Sequence, residues 1–314
     1  MPDTNLTLAD VVRINDVSVR DMGATDIFND APLLSALFAT TASNGTIHSY
    51  LRESTAPIVG FRAPNVGIDV TASTDVRVDL NLSYLDARYT MDKQLADTGK
   101  GRDYHLERGS KRNLRQAFFI AENQIINGGT VNGAAFNGFQ QALNALANPM
   151  VVNAAGAAAR SSVYAIRCTP DEANVAVIMG NDGDIKIEPY FEHTVVDGSN
   201  RTFIAYSVPI SGWIGLQVGA TRSIARLANI PATGTGSVTD ALLQSLFDLF
   251  PASAPPTHFV MNRRSRGQLQ SSRSTVNIGG NSRLLTRHAE TPVDFNGIPI
   301  VCVESIGNAE TAVA

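Results

Sequence analysis

Between residues 76 and 84 the chain alternates without a break. Val76, Val78, Leu80, Leu82 and Tyr84 are apolar, and Arg77, Asp79, Asn81 and Ser83 stand between them. Successive side chains of a strand point to opposite faces, so this period of two predicts a strand with one face covered. Residues 47–52 can supply its partner. The tip between them holds Pro57, Gly60, Pro64 and Gly67, with Ile58, Val59 and Phe61 among them. Residues 46–91 therefore read as a long hairpin-like arm with a wide, irregular, partly apolar tip. A two-stranded ribbon is marginal alone in water. It must lie on the core of its own subunit or on a neighbouring subunit, and that demand limits the architecture more than any other feature.

Around the arm the periodicity changes. Residues 5–20 read as a short helix capped by Asn5 or Thr7, and Pro32 starts another over 32–38. Residues 103–127 return to helical spacing, about 37 Å long at 1.5 Å per residue. Leu106, Leu114, Phe118, Ala121 and Ile125 share its apolar face, widened by Ala117 and Phe119. Arg108, Lys111, Arg112, Arg115 and Glu122 fill much of the rest, and Asn127-Gly128-Gly129 stops it. After a Gly-, Asn- and Ala-rich stretch with a short helical run at 140–146, strands are expected at 163–168, 175–179, 185–190, 203–208 and 213–218. Asn181-Asp182-Gly183 and Asp197-Gly198-Ser199-Asn200 are the turns. A linker over 231–237 leads to a helix at 238–249, with Ser237 or Thr239 capping it. A strand at 258–261, a helix at 263–272 and a turn at Asn296-Gly297 into a last strand complete an α+β pattern.

The chain has 314 residues, 44% of them hydrophobic, enough for one elaborate domain or two intimate ones. Charged residues are 17%, against roughly 25% in ordinary soluble domains, which suits a surface partly covered by partners. The net charge of -4 argues against a sequence-specific DNA reader. Lysine occurs only at 93, 100, 111 and 186. Cys168 and Cys302 lie in apolar surroundings and read as buried free thiols. Neither a signal peptide nor a membrane span is visible. The expectation is a protein made in a cytoplasm, soluble until it assembles, with no membrane partner.

No catalytic motif is present, and the five histidines are scattered. Gly234-Thr235-Gly236-Ser237 lacks the lysine of a phosphate loop and reads as a linker. Asn181-Asp182-Gly183-Asp184 lacks the rest of a calcium loop and reads as a turn. Catalytic, cofactor and metal residues are therefore assigned to none. Arg263, Arg264, Arg266 and Arg273, continued by Arg283 and Arg287, form a basic run. Such a run serves intersubunit ion pairs, nucleic-acid contact or a solvated helix face.

The order of short helix, extended arm, long helix, strand-rich body and helix-bearing end resembles the Hong Kong 97-type capsid fold of tailed bacteriophages. Val59-Gly60-Phe61-Arg62-Ala63-Pro64 looks like an arm-tip segment of short-tailed phage capsid proteins. Phe259-Val260-Met261-Asn262-Arg263-Arg264 with Gln268-Leu269 looks like the strand-to-helix step of the axial domain. Phe295-Asn296-Gly297-Ile298-Pro299-Ile300-Val301 looks like the strand that follows, and Gly212-Trp213-Ile214-Gly215-Leu216 is a further shared element.

The resemblance implies an N-terminal arm (1–45), an E-loop (46–92), a peripheral domain (93–230) with its spine helix at 103–128, and an axial domain (231–314). The strands expected near 162–228 precede the axial segment, which implies a rearranged chain order. The implied function is a shell-forming major capsid protein enclosing double-stranded DNA without sequence-specific binding. Its implied partners are copies of itself in hexamers and pentamers, a separate scaffolding protein, a portal protein and, as an optional addition, a cement protein. Ile58, Val59, Phe61 and Arg62 would make the inter-subunit contact, and Gly128, Gly129, Gly234 and Gly236 would act as hinges. Residues 46–92 contain no lysine, so the isopeptide weld of some relatives is not expected. The rival readings are an encapsulin-like compartment, a tail or decoration protein, and a cytoplasmic enzyme without a recognisable motif.

Overall fold

The computed structural model describes residues 31–170, 174–183, 185–273 and 289–314. The helix expected at 5–20, and Arg283 and Arg287, lie outside the described residues. In chain order the elements begin with α1 (Pro32–Ala36), β1 (Ala39–Thr41), β2 (Ile47–Thr55), β3 (Thr74–Asn81), β4 (Ser83–Asp86), β5 (Tyr89–Asp92) and α2 (Lys93–Ala96). Then come α3 (Arg102–Asn127), α4 (Phe139–Ala142), β6 (Val151–Asn153), β7 (Ser161–Ile166), β8 (Val175–Met179), β9 (Lys186–Ile187), β10 (Phe191–Val196) and β11 (Thr202–Val208). The last are β12 (Ile210–Val218), β13 (Ile224–Ile230), α5 (Asp240–Phe247), β14 (His258–Met261), α6 (Arg263–Arg273), β15 (Asp294–Phe295) and β16 (Ile298–Cys302).

The chain divides into two compact units. The larger takes Pro32–Ser83, Asn123–Gly183 and Ile214–Ala314. Its centre is a six-stranded sheet ordered β15-β16-β14-β7-β13-β6. β14 runs parallel to β16 and antiparallel to β7, and β13 runs antiparallel to β7 and parallel to β6. Every residue of β7 and β13 is buried. Strands covered on both faces lack the alternation of a half-buried strand, as these two do. The sheet draws strands from both sides of residue 231, where the axial segment was expected to begin. Thr239 caps α5 by accepting from the Leu242 N–H at 3.4 Å, as one of the two expected caps. Asn296 and Gly297 both have positive φ, 52° and 76°, the tight turn that joins β15 to β16.

The smaller unit takes Tyr84–Glu122 and Asp184–Trp213. The antiparallel sheet β10-β11-β5 carries a core of Met91, Ala96, Leu106, Tyr206, Val208 and Ile210. The start of α3 is fastened to it by charge on aromatic faces. The Arg102 guanidinium lies 4.5 Å from the Tyr190 ring and 5.5 Å from that of Tyr206. Asn113 of α3 donates to the carbonyls of Ala87 and Arg88.

Several expectations need correction. Residues 185–190 do not form one strand: only Lys186–Ile187 pairs, with Ile210 and Ser211. The hairpin strand lies beyond it, at β10. β6 and β13 were not anticipated, because Ala225, Arg226, Ala228 and Asn229 dilute the β-branched signal of β13. Leu82 breaks the expected 76–84 strand into β3 and β4. Phe118, placed on the apolar face of α3 by its spacing, is 37% exposed.

Candidate assembly surfaces

β2 and β3 pair antiparallel from Ile47↔Asn81 to Thr55↔Thr74, with a register shift between Glu53 and Thr55. At the arm's base the ribbon is anchored. His48 Nε2 lies 2.9 Å from Gln217 Oε1, and Tyr50 Oη donates to the Val218 carbonyl at 3.3 Å. Leu82 packs where Gly215 leaves no room for a Cβ. Burial pushes the Tyr50 phenol above its usual pKa, which keeps it a neutral donor. Outward from there, support stops. Ser49 and Arg77 both donate to Asp79 Oδ1, at 2.5 and 2.8 Å, and hold its carboxyl below the usual range. That network is exposed and adds little stability.

The expected contact residues stand at the tip. A bridge between Ile58 and Thr71 narrows its neck. Val59 is 77% exposed and Phe61 107%. Leu51, Val66 and Val70 are also well exposed. Arg62 donates to the Val66 carbonyl at 3.5 Å. Of the face expected to be covered over residues 76–84, Val78 and Leu80 are half-buried and Leu82 is buried, whereas Val76 and Tyr84 are exposed. The smaller unit has an exposed apolar hairpin of its own, with Phe191, Val196 and Ile204 outward on β10 and β11. The alternation on either side of Asp197-Gly198-Ser199-Asn200 was the signal that could have found it.

Two of the basic-run residues are engaged inside the larger unit. Arg273 grips Asp240 with both Nε and Nη2, at 2.5–3.0 Å. Arg264 donates to the carbonyls of Ala159 and Asn308, at 2.7 and 3.2 Å. Arg263 is exposed and Arg266 half-buried. The glycines differ likewise. Gly128 has φ +54° and is wedged against Gly138 and Gln141, and Gly129 lies beside the same Gln141 side chain. Gly236 abuts the Ala154 carbonyl, whereas Gly234, with φ +92°, has open space around it.

A buried clasp escaped sequence reading altogether. Arg226, in the middle of β13, is 1% exposed. It donates to Ser162 Oγ, the Leu143 carbonyl and Glu310 Oε2, each at 2.9 Å. Its guanidinium lies 5.6 Å from the Tyr164 ring. Asn229 adds a reciprocal pair with the backbone of Val313, both bonds 3.0 Å. Glu310 and Val313 are thereby fastened to β13, an interior strand of the sheet. Among the described residues no cluster of His, Cys, Asp and Glu could hold a metal ion, and no helix is long and apolar enough to cross a membrane.

A family model described as major capsid protein GP7 matches residues 26–314. A chain in the structure of bacteriophage Epsilon15 is similar over 100% of this chain and 98% of its own, at 18% identity and a TM-score of 0.74. The bacteriophage JBD30 capsid is similar over 96% and 99%, at 10% identity and a TM-score of 0.51. No curated protein matches the chain.

Proposed function

We propose a mechanism of shell assembly from one premise: this chain belongs to the major capsid protein GP7 family. It is a structural protein of the virion capsid of a tailed bacteriophage, with the Hong Kong 97-type fold, and it associates with copies of itself. Within that role, the arm is the E-loop, and its tip is the inter-subunit contact. The observation that carries this reading is Phe61, fully exposed at the end of a ribbon whose tip no other described residue covers. Burying a Val, Ile or Phe side chain contributes ~1.5–3 kcal/mol. Ile58, Val59 and Phe61 together suffice for a contact that is weak singly and strong when repeated around a closed shell. Single contacts of that size stay reversible, so misplaced subunits can leave during assembly.

The finer assignments follow the same logic. α3 is the spine helix of the peripheral domain. The axial domain is built from residues 231–314 with β7 and β13, since these strands share one sheet with β14 and β16. Gly234 is the hinge favoured by its open surroundings. A separate scaffolding protein, a portal protein and, where needed, a cement protein complete the set of partners, and hexamers and pentamers form in the host cytoplasm. The role is structural, with no catalytic step. Residues 46–92 hold no lysine, so the shell stands without an isopeptide weld from the arm.

Electron microscopy of the purified chain, with scaffold supplied, tests this reading. Closed shells or capsomers are expected, running as single chains on denaturing electrophoresis. Uniformly monomeric protein overturns the assembly reading, and a ladder of covalent multimers overturns the unwelded one.

A further inference from the structure

The exposed side of α3 carries charge of one sign. From Arg108 to Ala121 there are four positive charges and no carboxylate. At 3.6 residues per turn, Arg108, Arg112 and Arg115 fall within about 60° of one another, and Lys111 widens the stripe to about 100°. The four span about 10 Å of the helix axis. Leu106, Ala117 and Ala121 take the opposite, buried side, and Tyr89 packs over Gly109. Lys111, Arg112 and Arg115 are therefore exposed and Arg108 half-exposed.

These charges are poorly compensated. Glu107 pairs with Lys111 at 2.6 Å. Among the described residues no ion pair reaches Arg108, Arg112 or Arg115. Partial burial, and then the like charge of Arg108, pull the Arg112 guanidinium below its usual pKa. Like charges four residues apart destabilise a helix, and an external polyanion would relieve that repulsion. Three of the four groups are arginines, whose planar forks fit phosphate oxygens bidentately. The α6 run compares poorly, because Arg264 and Arg273 already serve internal partners.

We propose that this face of α3 docks the phosphate backbone of duplex DNA. The proposal rests on the shell reading, in which the chain surrounds packaged double-stranded DNA. Contact would be independent of base sequence, since a stripe of cations on one helix face reads only the backbone.

The test is the salt dependence of duplex binding by the full chain. Each phosphate neutralised adds ~0.9 to the slope of log K against log salt. The triple variant Arg108→Gln, Arg112→Gln, Arg115→Gln is expected to lower the slope by about 2–3, and Arg112→Gln alone by about 0.9. The corresponding triple lysine variant keeps the slope, as does the arm control Arg52→Gln, Arg62→Gln. An unchanged slope in the glutamine variants overturns the proposal, as does an equal loss in the arm control or a parent that does not bind duplex. Loss of poly-glutamate binding with duplex binding intact makes the occupant an acidic protein, and likewise overturns it. Shell formation is followed in parallel. Shells whose subunits lack the salt-dependent binding overturn the docking surface alone. Duplex binding by a chain that never forms shells overturns the shell reading instead.

Discussion

β3 and β13 belong to the same unit and end in opposite environments. Every residue of β13 is buried, the guanidinium of Arg226 included, while most of β3 and nearly all of the tip beyond it are exposed. Polarity does not sort the two. An arginine is inside because Ser162, Leu143 and Glu310 surround it with acceptors. Phe61 is outside because, among the described residues, no element reaches it. Burial follows what the rest of the chain can bring to a position, and a strand left uncovered marks where another molecule must do the covering.

The sharpest way to break this contrast is to charge the arm. Val59→Asp with Phe61→Asp should reduce shell yield more than tenfold, by electron microscopy and sedimentation. The unfolding free energy of the unassembled chain in urea should change by no more than ~0.5 kcal/mol, as for other surface changes. A matching loss of stability would show that the tip packs on its own subunit. The converse experiment strikes the clasp. Glu310→Ala leaves Arg226 buried without its counter-charge and should cost ~3–5 kcal/mol in urea unfolding. Phe259→Ala, a fully buried ring packed on Phe295, is a benchmark of similar size at ~3–5 kcal/mol. A loss below ~1 kcal/mol for Glu310→Ala would mean that water reaches the pair.

The smallest expected effect concerns pH. Burial pulls the imidazoles of His105 and His258 below the usual pKa of about 6.5. The unfolded chain then binds protons more readily than the folded one. Stability is full above about pH 6.5 and falls as the pH drops from there toward the lowered folded values. Both histidines lie outside the arm, so Val59→Asp with Phe61→Asp should leave the pH profile unchanged. His105→Gln with His258→Gln should flatten it, as read from urea midpoints between pH 5 and 8.

Much of the architecture was legible where pattern and burial coincide. The arm announced itself through its alternation and proline-broken tip, and α3 through Leu106, Ala117, Ala121 and Ile125. Asn296-Gly297 marked its hairpin because only a few residues accept positive φ there. β13 was missed because its alanines and Arg226 look like neither strand period, and only long-range pairing with β7 makes it one. Phe118 misled for the opposite reason: its spacing fits the buried face, but the packed surface of α3 turns away before reaching it. The clasp had no local signal, since Glu310 matters only through a partner far back in the chain. The exposed apolar tip was readable as residues, but its full exposure needed the fold.

That long separation sets a clock. Arg226 lies 84 residues before Glu310, an interval of about 4–17 s at ~5–20 residues synthesised per second. For that time β13 holds a cation whose counter-charge does not yet exist, and for most of it the sheet lacks β16. The arm at 46–92, by contrast, has long since emerged. On the proposed reading, subunits then offer the contact tip before their own core can close, and the weakness of each single tip contact opposes premature encounter between unfinished chains.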